Sequence, residues 1–167
     1  VSSSQLMQTS VLKKALEEVE ADCIRTKSGI VSGIPTGLLM LDRATGGWKS
    51  NNYIILAARP SVGKTSLALH FAKQAALAGF WVNFYGLEMS SPDLMRIMLS
   101  GESAVSRTKL RDGKLEDSDW VKINAGVRQL DRLPIIWSDY ADVTVQYIRD
   151  MTRKNKKEGK CDLVIVD

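Results

Sequence analysis

The sequence predicts an α/β fold, a mostly parallel sheet with helices on both faces. Short apolar runs alternate with longer helical patterns after Gly46-Gly47. These runs are too apolar to leave one face wet, as in a parallel sheet covered on both sides. A turn, Ala58-Arg59-Pro60-Ser61-Val62-Gly63-Lys64-Thr65, joins the first of these runs to the first of these helices.

In order, residues Val11 to Ile24 place Leu12, Leu16, Val19 and Cys23 at steps of four, three and four, with Lys13, Lys14, Glu17, Glu18 and Glu20 between them. That spacing predicts an amphipathic helix. Arg25 to Gly37, rich in Ser, Thr, Gly and Pro, reads as a tether. Tyr53 to Ala57 is a short apolar run expected to be a buried strand. Lys64 to Ala78 is rich in alanine and leucine, with Gly79 placed to stop a helix.

Trp81 to Tyr85 is expected as a second strand. Ser91-Pro92-Asp93 opens a helix with a cap, a first-turn proline and a first-turn acid. Asp117 to Leu130 repeats apolar residues at Trp120, Ile123, Val127 and Leu130, again a helix. Pro134 to Trp137 is a third strand, Thr144 to about Lys157 a helix, and Leu163 to Val166 a fourth strand. Because Asp167 directly follows a buried apolar strand, the sheet is expected to be incomplete at its C-terminal side. Trp48, Trp81, Trp120 and Trp137 fall on different elements and read as core, since single-strand binders line aromatics along one groove.

Composition narrows the function. With 167 residues, 44% hydrophobic and 25% charged, the chain has material for one compact domain. It lacks the ~18-residue apolar run of a membrane span and the signature of a secretory leader, so a soluble cytoplasmic protein with no membrane partner is expected. Cys23 and Cys161 form no Cys-x-x-Cys pair and His70 is the single histidine, which argues against a disulfide framework, a zinc site or a histidine triad. The net charge of +4 resides in Arg149, Arg153, Lys154, Lys156, Lys157 and Lys160, set against Asp150 and Glu158. This cluster is either a phosphate-contacting patch or a helix end whose lysines complement the macrodipole.

Three segments carry chemistry. The strand–turn–helix context of Gly63-Lys64-Thr65 is that of a P-loop. There, consecutive N–H groups of Arg59, Pro60, Ser61, Val62, Gly63, Lys64, Thr65 and Ser66, proline excepted, and a helix N-terminus form an anion cradle. Lys64 reaches the β- and γ-phosphates and the Thr65 hydroxyl ligates Mg²⁺. Ala58 replaces the motif's usual glycine, which requires a negative φ there. Glu88, just past the second strand, either orients the water that attacks the γ-phosphate or is a helix-start acid satisfied by nearby N–H groups. Asp167 has the form of a Walker B acid holding Mg²⁺. Arg59 can contact nucleotide, contact a neighbouring subunit or cap the loop.

The segments Ile34-Pro35-Thr36-Gly37, Leu41-Asp42-Arg43, Gly46-Gly47-Trp48, Ala57 to Thr65 and Leu87-Glu88-Met89-Ser90 resemble the C-terminal motor domain of DnaB-type replicative helicases. Thr108 to Leu115, Asp119-Trp120 and Val164 to Asp167 are similar to the same family, so the resemblance covers about residues 31 to 167. Val62 departs from the methionine that many relatives carry. The resemblance implies a RecA-like P-loop NTPase core that binds ATP and Mg²⁺ between subunits of a homohexameric ring and draws single-stranded DNA through the channel. Primase and a helicase loader are candidate further partners. It implies that Lys64 and Thr65 are the Walker A pair, Glu88 the catalytic carboxylate and Asp167 the Walker B acid. Residues 1 to 30 become a linker helix and tether, and residues 31 to 167 part of the motor. The family's amino-terminal domain, DNA-binding loops and arginine finger lie outside these residues. Two other readings are a RecA/RadA-like or clock-type P-loop ATPase and a nucleotide-binding module without turnover.

Overall fold

The computed structural model describes residues 11–17, 19–20, 31–138 and 143–167. They belong to two compact units that divide between Asn52 and Tyr53.

In the first unit, residues 11–17 and 19–20 are helical (α1) with exposed side chains. The expected continuation through Cys23 and Ile24 lies outside the described residues. Residues 31–37 are not a loose tether. Ile34 and Trp48 form an antiparallel bridge, with Ile34 N–H donating to Trp48 O at 2.8 Å and Trp48 N–H to Ile34 O at 2.9 Å. Thr36 is fully buried, and the Asp42 carboxylate accepts from the N–H groups of Thr36 (2.8 Å) and Gly37 (3.2 Å). Asp42 sits on α2 (Leu39–Thr45), a helix too short for periodicity to reveal. A Cβ on Gly33 would stand 2.5 Å from Trp48 O, which is why the bridge is approached through glycine.

The second unit holds a three-stranded parallel sheet in the order β2-β1-β3: β1 (Val82–Tyr85), β2 (Ile135–Ser138) and β3 (Leu163–Val166). Val82 pairs with Ile135 on one side and Leu163 on the other. The central strand β1 is buried at all four residues, as expected of a strand paired on both edges. The helices are α3 (Lys64–Leu77), α4 (Ser91–Ser103), α5 (Arg107–Asp112), α6 (Asp117–Leu130) and α7 (Val145–Lys157).

Local signals explain most of these bounds. The Ser90 hydroxyl accepts from Asp93 N–H (3.4 Å), Ser106 from Lys109 N–H (3.2 Å) and Thr144 from Tyr147 N–H (3.1 Å), each satisfying an orphan donor of its helix. Buried Ala68, Ala72, Ala75 and Ala76 let α3 lie close on β1 and β3. Gly126 performs the same service where α6 meets α4, since a Cβ there would stand 3.2 Å from Leu99 Cδ1. Tyr85 Oη meets Thr152 Oγ1 at 3.2 Å and ties α7 to the sheet. Three lysines, Lys154, Lys156 and Lys157, occupy the last turn of α7, where cations complement the helix dipole.

Three expectations change. Tyr53–Ala57 has no regular secondary structure and pairs with no strand among the described residues, and Tyr53 (89% exposed) and Ile55 (76%) face solvent. Strand β3 is half-buried on one face, at Leu163 and Ile165, with Val164 and Val166 exposed on the other, and its outer edge has no neighbour among the described residues. Trp120 is about half exposed on the outer side of α6, so it is not core, and the other three tryptophans are half-buried.

Candidate nucleotide site

Parallel strands bring their carboxyl ends to one side of a sheet, and ligands of open α/β folds bind there. In this chain β1 ends at Tyr85 and runs into Gly86-Leu87-Glu88, while β3 ends at Val166 and runs into Asp167. The ladder continues past both strands: Asp167 N–H donates to Tyr85 O (3.0 Å) and Leu87 N–H to Asp167 O (2.8 Å). Glu88 and Asp167 are thereby fixed side by side. The exit from β1 demands glycine, since a Cβ on Gly86 would stand 2.7 Å from Met89 O and 2.9 Å from Leu94 Cδ1.

The loop Arg59–Gly63 leads into the first turn of α3, which carries no acid. Its backbone takes left-handed conformations at Ser61 (φ 66°) and Gly63 (φ 106°), and Val62 N–H donates to Arg59 O at 3.3 Å to close a turn. Alternation of this kind points successive N–H groups inward and makes an anion-binding nest. The first N–H groups of α3 have no carbonyl behind them within the helix and add to the same donor field. Ala58 is not among the left-handed residues, which meets the condition set by its Cβ. Left-handed Ser61 is a feature the sequence did not disclose, and such backbone outliers concentrate at functional sites.

Four of the singled-out side chains converge. Lys64 Nζ lies 3.1 Å from Asp167 Oδ1 and 3.9 Å from Glu88 Oε2, and Thr65 Oγ1 donates to Asp167 Oδ2 at 2.7 Å. The Asp167 carboxylate is 4% exposed and Glu88 72%, so the first is a buried anchor and the second an exposed side chain at the rim. The Asp167 carboxylate, by hydrogen bond and by charge, raises the Lys64 ammonium above the ordinary lysine value. Partial burial opposes this, and Glu88 adds to it. Lys64 is therefore a full cation at any physiological pH.

Arg59, Pro60, Ser61, Val62 and Gly63 are exposed on the loop, available to a ligand. Ser66, at the end of the predicted cradle, is held by Arg107, whose Nη2 donates to Ser66 Oγ at 3.0 Å. Sequence reasoning missed Arg107. It lies 41 residues from Ser66, and no local pattern links the two. The family-like segment begins one residue later, at Thr108.

The donor set suits a hard cation. A threonine hydroxyl and a carboxylate 2.7 Å apart offer oxygen only. Among the described residues no group of three or more His, Cys, Asp or Glu forms an all-protein metal cage. Mg²⁺, which keeps waters and takes the rest of its shell from phosphate, fits such a half-site. His70 Nε2 is buried without a hydrogen-bond partner and the ring packs edge-on against Phe71. It is a packing residue of α3. No helix of the described residues is long and apolar enough to cross a membrane.

The model of the DnaB-like helicase C terminal domain family matches residues 33–167. The replicative DNA helicase DnaB of Geobacillus stearothermophilus is 35% identical over 158 residues, covering 94% of this chain and 34% of that protein. The replicative DNA helicase DnaC of Bacillus subtilis gives the same figures. Among solved structures, an ATPase domain superposes with a TM-score of 0.85 at 29% identity, covering 95% of this chain and 56% of that one. A DnaB-like replicative helicase solved to show its interactions with primase superposes at 0.80, again at 29% identity, with 38% of that chain covered. The chain thus spans about a third of the length of these curated relatives.

Proposed function

Because the chain belongs to the DnaB-like helicase C-terminal domain family, we propose that it is the nucleotide-binding part of a replicative helicase motor that hydrolyses ATP to unwind duplex DNA. The observation that carries this is the convergence of Lys64, Thr65 and Glu88 on Asp167, at the mouth of a loop shaped for phosphate.

In this reading the cradle from Arg59 to Ser66 holds the phosphate chain by N–H donation. Lys64 is held by Asp167 in the free chain and transfers its ammonium to the β- and γ-phosphates when nucleotide arrives. Thr65 and Asp167 would hold Mg²⁺, which neutralises charge developing on the transferred phosphoryl group. Glu88 stands 3.9 Å from Lys64 with its side chain exposed, and in this reading it faces the water that attacks the γ-phosphate. Its carboxylate orients that water and accepts its proton. Residues 31–167 form part of the motor, and residues 1–30 the linker helix and tether. Single-stranded DNA, a homohexameric ring, a primase or loader contact and a cytoplasmic location follow from this assignment and are proposed with it.

ATP binding and phosphate release, measured side by side, test it. Lys64→Ala should lose both. Glu88→Gln should bind ATP as the wild type does and release no phosphate. Wild-type binding by Lys64→Ala refutes the P-loop reading, and wild-type turnover by Glu88→Gln refutes the role of Glu88. A wild type that binds ATP yet releases none would leave a binding module without turnover.

A further inference from the structure

Arg107 is an electrostatic oddity. Its guanidinium is hydrogen-bonded to Ser66, the third residue of α3, and so stands at the positive end of that helix dipole. A cation there is repelled by the N-terminal partial charge, and no acid in the first turn of α3 offsets it. The two carboxylates nearest the loop are already engaged with Lys64, one of them also with Thr65. Among the described residues, Ser66 is the side chain to which Arg107 donates, through one of its five N–H groups.

The arginine is nonetheless well founded. It is the first residue of α5, whose N-cap Ser106 accepts from Lys109 N–H. Lys109 in turn is anchored 2.9 Å from the nearly buried Asp119 of α6. A guanidinium facing a helix N-terminus from an anchored helix is unfavourable until an anion joins the two. A phosphate reverses the sign of both interactions, accepting from the helix N–H groups and from the arginine fork together.

We propose that Arg107 is a second cationic contact for the phosphate chain of the bound nucleotide, delivered in cis to the first turn of α3 beside Ser66. This rests on the nucleotide-binding reading above. Lys64 approaches the cradle from the side of Asp167 and Arg107 from the side of Ser66, so the phosphates are held between two cations of the same chain. Arg107 is a binding residue here, and its effect falls on affinity for the ground state.

Calorimetric titration of the chain with MgATP, MgADP and adenosine, at low and at moderate salt, tests this. Arg107→Ala should weaken MgATP and MgADP binding by a similar factor, about 5- to 30-fold, and leave adenosine unchanged. Arg107→Lys should recover part of the loss, because charge survives while the planar fork does not. Arg107→Gln should behave as the alanine variant, and unchanged thermal unfolding of the variants shows the effect to be local. Wild-type affinity for MgADP in Arg107→Ala, or an equal loss for adenosine, overturns the proposal. If that happens while Lys64→Ala still abolishes binding, the nucleotide site stands and only the role of Arg107 falls. A wild-type chain that binds neither nucleotide overturns both.

Discussion

Replacing Gly86 by alanine perturbs the turn that carries Glu88 out of the sheet. The added Cβ would stand 2.7 Å from Met89 O and 2.9 Å from Leu94 Cδ1, both below the distance that real Cβ contacts reach. Met89 O belongs to the backbone and cannot rotate away. Leu94 is 1% exposed at the base of α4, so its side chain has no free volume to enter. Either the segment 86–90 shifts or α4 does. Overpacking of this kind costs about 1–3 kcal/mol. In a chain of this size that lowers the thermal midpoint by roughly 2–4 °C per kcal/mol, so about 2–12 °C in all. Thermal unfolding followed by circular dichroism reads the shift. Leu94→Ala leaves a hole for the new methyl but does not move Met89 O, so in that background the cost of Gly86→Ala should shrink without vanishing. A Gly86→Ala chain that melts within about 1 °C of wild type, below the range expected from overpacking, would show that the turn is not closely packed, and the stated reason for glycine would be wrong.

Three further outcomes are expected. Ser61 holds φ at 66°, so Ser61→Val should be less stable than Ser61→Gly by about 1–2 kcal/mol in denaturant unfolding, and equal stabilities would refute the left-handed loop. Asp119 is held below the ordinary carboxylate value, first by the Lys109 ammonium and then by the Glu116 N–H. A depressed folded value gives stability that is full above about pH 4 and lost as pH falls further. The stability gap between wild type and Asp119→Asn should therefore be larger at about pH 7 than at about pH 2.5, and a gap that widens in acid contradicts the pairing. Ile55 is 76% exposed, so Ile55→Ser should change the stability of this chain by less than about 0.5 kcal/mol, whereas a loss above about 2 kcal/mol would show residues 53–57 to be a buried strand after all.

How far the amino-acid sequence reached depended on the range of the signal. Helix α6 and strand β3 have the bounds read from the sequence, α3 and α7 differ by about a residue at one end, and α4 starts at Ser91 as its cap signals predict. Caps, an apolar period over several turns, and a run ending in an acid are all local, so they are written where they act. The P-loop pattern is local too: Gly63-Lys64-Thr65 lies between an apolar run and the start of α3, where the sequence reading put it. Helices α2 and α5 escaped because seven and six residues do not complete two turns, leaving no period to detect.

Sheet membership, by contrast, is decided only in three dimensions. Tyr53–Ala57 and Leu163–Val166 are both apolar runs, yet only the second finds a neighbour in the described residues, because a strand is defined by a partner's hydrogen bonds and not by its own composition. The same holds within the site. The residue types at 64, 65, 88 and 167 were legible, but Asp167 as the shared partner of Lys64 and Thr65 depends on β3 pairing beside β1. Arg107 reaches Ser66 from a helix packed on α4 and tied to α6 through Lys109 and Asp119. Charge and hydrogen-bond partners are set by through-space distances of a few ångströms between residues tens of positions apart, and such distances exist only once the chain has folded.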